Sequence, residues 1–207
     1  MVYKNFLLRC LFSVIILSIY FIISYINFNL VFYLILLIYF IIILEIFLYF
    51  EKYKFIPIIY IILSLICFFN IDFKELNILD FNLLIIIIIT FDIFSYLFGK
   101  TIGKTKLINI SPKKTIEGLV GGIIVSSLFA IIFSYYFNIL INLQLFMYIF
   151  IIIFSSLSGD LIESYFKRKN DLKNSSNIIP GHGGVFDRFD SFLFSIIFYS
   201  IFISLYK

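Results

Sequence analysis

The 207-residue chain predicts an all-α fold, a polytopic integral membrane helical bundle with about seven transmembrane helices. Three observations carry that expectation. Hydrophobic residues make up 63% of the chain and charged residues only 14%, against about 45–50% and 25% in a soluble domain. The apolar residues form long uninterrupted runs, too long for strands, and only helices or closed barrels satisfy their backbone inside lipid. The basic residues then alternate between the connections in the way that membrane topology demands.

The runs cover Leu11 to Ile26, Leu30 to Phe50, Phe55 to Phe69, Phe81 to Phe98, Leu119 to Phe137, Leu143 to Ile162 and Ser191 to Tyr206. A spanning helix takes about 20 residues, so these runs use up most of the chain and leave no space for an independent soluble domain. The third run is short, which predicts a tilted or re-entrant segment or a locally thinned bilayer. The first follows Lys4 and Arg9 and is not trailed by a small-residue cleavage site, so it is expected to be an uncleaved anchor. Sevenfold alternation with a cytoplasmic N-terminus puts Lys4, Arg9, Lys52, Lys54, Lys100, Lys104, Lys106, Lys113, Lys114, Lys167, Arg168, Lys169, Lys173 and Arg188 inside. Only Lys74 and Lys207 fall outside, which supports that orientation, with the C-terminus outside. Cys10 and Cys67 lie in apolar runs without ligand spacing, arguing against a disulfide framework or zinc site. A net charge of +4 without a basic domain gives no support to nucleic-acid binding.

The unusual residues are unevenly distributed. All nine glycines, Pro112, Pro180 and the single histidine, His182, lie between Gly99 and Gly184, while the first 90 residues are nearly featureless apolar helix. The chain therefore divides into a scaffold, 1–90, and a catalytic region, 91–207. Within the latter, two segments are expected to face each other at the cytoplasmic surface: Asp92 through Gly122 and Gly159 through Ser191.

The first segment holds five lysines and several glycines, a composition that suits phosphates, because glycine lets backbone N–H groups approach an anion and ammonium groups neutralise it. Its two Gly-Lys-Thr triplets do not make a P-loop, since Phe94 and Phe98 stand where that motif needs glycine. The plain alternative for these lysines is a topogenic loop, and for Gly118 and Gly122 it is close helix packing. Asp92 lies within an apolar span, where a carboxylate costs about 2.5–3.5 kcal/mol and needs a partner or a function. Glu45 poses the same question, and the sequence leaves it unassigned.

In the second segment Asp160, Ser164 and Lys167 share one helical face, while Glu163 and Lys167 have the spacing of an i,i+4 ion pair. Asp187 and Asp190, at i,i+3, would converge at the start of the last span. Two such carboxylates repel unless a cation lies between them, and hard oxygen ligands suit Mg²⁺, which keeps water and substrate phosphates in its shell. Either aspartate alone could simply complement the helix dipole.

These residues resemble the phosphatidate cytidylyltransferase (CDP-diacylglycerol synthase) family. The C-terminal signature of that family maps onto Ser164, Phe166, Lys167, Arg168, Lys173, Pro180, His182, Gly183, Gly184, Asp187, Arg188, Phe189 and Asp190 with its spacing intact. The upstream pattern is present as Asp92, Ile110 to Gly118 and Gly121-Gly122. One position departs: Asn174 stands where the family pattern has Asp. The resemblance implies transfer of CMP from CTP to phosphatidate in a bacterial-type inner membrane, giving CDP-diacylglycerol and pyrophosphate. It further implies Mg²⁺ or another divalent cation held by Asp187, Asp190, Asp160 and Asn174, with Asp187, Asp190, Asp160, Lys167 and Arg168 catalytic. Ser111, Lys113, Lys114, Thr115, Lys173, His182, Gly183, Gly184 and Arg188 would bind the substrates, and there is room for a homodimer. The alternatives are a related CTP-dependent lipid enzyme, such as a polyprenol kinase or an ether-lipid cytidylyltransferase, and a small transporter. Against the transporter, the glycines and lysines cluster at one membrane face instead of interrupting paired helices at the midplane.

Overall fold

A helix that is apolar on every side belongs where its neighbours and its surroundings are both apolar. In the computed structural model, which describes residues 18–73, 76–108, 111–178 and 183–206, the second helix shows this directly. The elements in order are α1 (18–26), α2 (Asn29–Tyr49), α3 (Phe55–Phe69), α4 (Ile78–Thr101), β1 (Lys106–Ile108), β2 (Ser111–Thr115), α5 (Ile116–Tyr136), α6 (Leu143–Lys169) and α7 (Phe186–Tyr206). On α2, Val31, Ile35, Tyr39, Ile42 and Ile46 are buried, while Tyr33, Leu37, Phe40, Leu44 and Phe47 on the other face are exposed. Both faces are apolar; one meets protein and the other would meet acyl chains.

Five helices are long and apolar enough to cross a membrane: Asn29–Tyr49, Ile78–Thr101, Ile116–Tyr136, Leu143–Lys169 and Phe186–Leu205. Helix α3 has 15 residues, as short as its run predicted. The expected polytopic helical membrane protein is what forms, with one addition: β1 and β2 pair antiparallel, Lys106 opposite Thr115 and Ile108 opposite Ser111. Four helices also outrun their apolar stretches by three residues or more, among them α5, which starts three residues before Leu119. Helix α4 starts three residues earlier than the run and ends three later, α6 continues seven residues past Ile162, and α7 begins five residues before Ser191. Charged residues at these ends keep helical geometry, so the acidic groups sit on rigid elements rather than in loops. Residues 1–17, including Lys4, Arg9 and Cys10, lie outside the described residues, as do Lys74 and Lys207.

Helix starts are fixed by side-chain caps that accept otherwise orphaned N–H groups. Asn77 accepts from Leu79 N at 3.0 Å, Asn142 from Leu145 N at 3.0 Å, and Thr115 from Gly118 N at 3.1 Å. Packing within the bundle is set by α4 against α5, α6 against α7, and α3 against α7. An aromatic cluster fills the end remote from the hairpin: Phe32 stacks on Phe68 at 5.2 Å, Phe68 meets Phe73 at 5.2 Å, and Phe81 meets Tyr199 at 5.8 Å. Ser64 ties three helices together, since its Oγ lies 2.6 Å from Tyr39 Oη and donates to Leu193 O at 2.5 Å.

Small residues decide how closely the helices approach. A Cβ added at Gly118 would lie 2.5 Å from Ser95 O, and one at Gly122 would lie 2.9 Å from Ser95 Cβ. These glycines serve the close α4–α5 crossing, which is the packing role their spacing allows. Gly159 does the same for α6 and α7, because a Cβ there would lie 2.5 Å from Asp190 O and 3.0 Å from Ser191 Cα. That contact places Asp160, the next residue, beside the start of the last helix.

Candidate functional site

The polar groups of three helices and the hairpin meet where α6 crosses α7. Asp160 on α6 forms an ion pair with Lys114 of β2, two residues 46 positions apart in sequence. Its other oxygen, Oδ1, accepts from Ser191 Oγ at 2.5 Å. The same hydroxyl lies 3.2 Å from Asp92 Oδ2 on α4, and Ser156 Oγ lies 3.4 Å from Asp92 Oδ1. Asp190 accepts from Ser191 N at 2.9 Å and is within electrostatic reach of Asp160, Asp92 and Lys167. Asp160 and Asp92 thus share the Ser191 hydroxyl, Lys114 pairs with Asp160, and Asp190 brings a third carboxylate within electrostatic reach of both. The mutual repulsion of these carboxylates makes the cluster a place that favours further positive charge.

A second cluster lies alongside it. Lys167 Nζ is 2.5 Å from Glu163 Oε2 and 2.7 Å from Asp187 Oδ1. Asp187 also accepts from Gly184 N at 2.9 Å and from Ser175 N at 3.0 Å, so its carboxylate closes the loop that leads into α7. Gly183 is required here for two reasons. Its φ is +88°, and a Cβ would meet Asp187 Oδ2 at 2.2 Å. The i,i+4 pair of Glu163 and Lys167 therefore exists, but it is buried rather than solvated: Glu163 is 1% exposed.

The sequence-derived site residues are distributed as follows. Asp160, Asp190 and Lys114 come together, joined by Asp92. Asp187 and Lys167 form the neighbouring cluster, so the two aspartates of the last helix have different hydrogen-bond partners, while Lys167 and Glu163 lie within electrostatic reach of both. Thr115 caps α5, and its hydroxyl packs against Gly99 and Gly103. Those two glycines meet side chain and backbone at close range, which is packing rather than an open anion cradle. Ser111 is half-buried in β2 and Ser164 half-buried on α6, whereas Lys173, Asn174 and Arg188 are exposed. Arg168 is also exposed and donates to Leu172 O at 3.2 Å. The side chain of Lys113 and all of His182 lie outside the described residues.

Sequence reasoning gave no role to Ser156 or Ser191, and read Glu163 only as an ion-pair partner of Lys167. The first two carry a weak signal, being hydroxyls one turn before Asp160 and directly after Asp190 on otherwise apolar helices. Glu45 is also drawn into this region, accepting from the backbone at the start of α7. At the rim, Lys52 Nζ lies 2.6 Å from Asp171 Oδ2, and this hydrogen bond holds the Asp171 carboxyl below its ordinary range.

Among the described residues, no three His, Cys, Asp or Glu side chains form a ready metal cage. Mg²⁺ does not require one, because it is commonly held by one or two carboxylates plus water and substrate phosphates. A pair of carboxylates such as Asp160 and Asp190, offering oxygen donors alone, fits that requirement.

Part of the chain is 32% identical over 125 residues to a phosphatidate cytidylyltransferase of Helicobacter pylori, covering 60% of this chain and 47% of that protein. It is 39% identical over 115 residues to the phosphatidate cytidylyltransferase of Bacillus subtilis, covering 55% and 43%. It is 44% identical over 103 residues to that of Staphylococcus aureus, covering 48% and 39%. The matched region thus spans less than half the length of each of these relatives. The model of the cytidylyltransferase family, by contrast, matches residues 6–206. With that match across nearly the whole chain, and with both signature segments meeting at one cluster, the protein belongs to the cytidylyltransferase family.

Proposed function

We propose that the protein is a CTP:phosphatidate cytidylyltransferase whose site is the Asp92–Asp160–Asp190 cluster. The observation that carries this reading is the ion pair of Asp160 with Lys114, which joins the two signature segments at the α6–α7 crossing. In the reaction, a phosphate oxygen of phosphatidate forms a bond to the α-phosphorus of CTP. The bond from that phosphorus to the bridging oxygen breaks, and pyrophosphate leaves with the electron pair. The attacking phosphate is already anionic, so no strong general base is needed, and the protein's task is alignment and charge neutralisation.

Lys114 uses one donor on Asp160 and is 25% exposed, which leaves ammonium hydrogens for a substrate phosphate. Arg168, Lys173 and Arg188 are exposed at the same end of the bundle and would hold the triphosphate, while Lys167 is committed to Glu163 and Asp187. Asp160 and Asp190, backed by Asp92, would hold a divalent cation such as Mg²⁺, which supplies neutralisation of the charge that builds on the nucleotide. Asp187 serves in this scheme to set the loop and Lys167. The site and the N-terminus are placed on the cytoplasmic side and the C-terminus outside, where the distribution of basic residues puts them. There CTP arrives from water while the acyl chains stay in the bilayer.

The test is to supply the detergent-purified protein with phosphatidate, Mg²⁺ and CTP labelled separately at the α- and γ-phosphates. α-Label should appear in the lipid with one pyrophosphate released per turnover. γ-Label in the lipid would identify a kinase, and no label in phosphatidate would refute the reading. Asp160→Ala and Asp190→Ala should each lower turnover by about a hundredfold or more while insertion is unchanged.

A further inference from the structure

Glu45 sits near the C-terminal end of the apolar helix α2, in the scaffold half and far in sequence from either signature segment, yet it is fully buried at 0% exposure. Its Oε2 accepts from Val185 N at 2.8 Å and from Phe186 N at 3.1 Å. These are N–H groups at the start of α7, which have no partner within their own helix. A carboxylate at this end also faces the positive pole of the helix.

Among the described residues, neither the other oxygen, Glu45 Oε1, nor the buried Ser175 Oγ has a hydrogen-bond partner. Both close on Gly184, where a Cβ would lie 1.6 Å from Glu45 Oε1 and 2.2 Å from Ser175 Oγ. Gly184 and Ser175 are also the residues whose backbone N–H groups hold Asp187. The scaffold carboxylate therefore touches the turn from which the acidic face of α7 begins.

We propose that Glu45 is a positioning residue. By fixing where α7 starts, it fixes the rotational phase in which Asp190 and Ser191 are presented to Asp160 and Lys114. The physical basis is helix geometry: each residue advances the helix by about 100°, so a slip of one residue at the first turn would carry Asp190 off the α6 face. A carboxylate in lipid-embedded helix is costly, and here that cost is offset by the two backbone N–H groups it organises. The catalytic consequence rests on the proposed activity, whereas the hold on α7 does not.

Two substitutions separate acceptor from bulk. Glu45→Gln keeps an oxygen for Val185 and Phe186 and offers Ser175 Oγ a donor, while Glu45→Leu fills the volume without an acceptor. Hydrogen exchange of a peptide containing Val185 and Phe186 is read together with kcat and KM for CTP in the lipid reaction. In Glu45→Leu, exchange should rise about tenfold or more, as expected for loss of a charge-assisted bond. Its kcat should fall at least about tenfold with KM changed less than about twofold, the pattern of a misplaced reacting group. Glu45→Gln should stay within about threefold of wild type in both readings.

Wild-type exchange in Glu45→Leu, or equal damage in Glu45→Gln, overturns the proposal. Raised exchange with undiminished kcat overturns the positioning of the site. A wild-type protein silent with CTP defeats the activity alone, because exchange still decides whether Glu45 holds α7. Should Glu45→Leu fail to accumulate, Gly184→Ala pushes its methyl against the same carboxylate and is read on the same two measures. Raised exchange with lowered kcat supports the proposal, and wild-type values overturn it.

Discussion

One ammonium shared by two carboxylates shows what a single residue can decide here. Lys167 is 14% exposed at its side chain and bridges Glu163 and Asp187, themselves at 1% and 7%. Replacing it with Met preserves length and apolar bulk but leaves two buried carboxylates without a counter-charge. Breaking a buried ion pair from one side costs about 3–5 kcal/mol, because the remaining charge loses its compensation. Lys167→Met should therefore unfold well below wild type in a thermal scan in detergent, and an unchanged midpoint would show that the cluster is not stabilising. The half of this arrangement within one helix is legible in the sequence, as an i,i+4 spacing. The half that reaches Asp187 is not, because Asp187 lies 20 positions further along and the intervening loop could have placed α7 in any phase. Asp160 and Lys114 are the stronger case, since each alone reads as an ordinary charge at a membrane surface.

Among the elements, the crossing of α6 and α7 matters most, and Gly159 sets it. Any side chain at that position must displace Asp190 O and Ser191 Cα, which are backbone and cannot swing aside. Gly159→Val should push the helices apart, costing about 1–3 kcal/mol by overpacking, and should abolish turnover by separating Asp160 from Asp190. Stability loss without activity loss would show that the cluster tolerates a wider crossing. The pattern of apolar runs gave α2 to α7 to within seven residues of their limits. It did not give the β1–β2 hairpin, whose lysine-rich strands carry no apolar alternation and are held instead by pairing between α4 and α5. The extra turns of α4, α6 and α7 escaped an apolar-run criterion for a related reason: hydropathy marks where a helix must be in lipid, not where its hydrogen bonding stops.

At the scale of the whole molecule, the 27-residue α6 spans about 40 Å, enough to put Leu140 and Asp171 on opposite sides of a membrane. In a background with Cys10 and Cys67 replaced by Ser, cysteine at position 140 should react with an impermeant maleimide in intact cells. Cysteine at position 171 should react only after the membrane is opened. The reverse pattern would invert the proposed orientation and place the site away from CTP.

The sequence by itself determined that this chain is a bundle of membrane helices, and that its glycines, its histidine and both signature segments fall in its second half. Lipid permits few backbone solutions, and polar residues are too costly there to be scattered. Only the tertiary structure decided which acid meets which base. Asp190 joins Asp160 and Asp92 while Asp187 turns to Lys167, and Glu45 reaches from the scaffold to the start of α7. Those choices follow from helix phase and crossing distance, which are set by glycines and caps on separate helices acting together and leave no periodic trace along the chain.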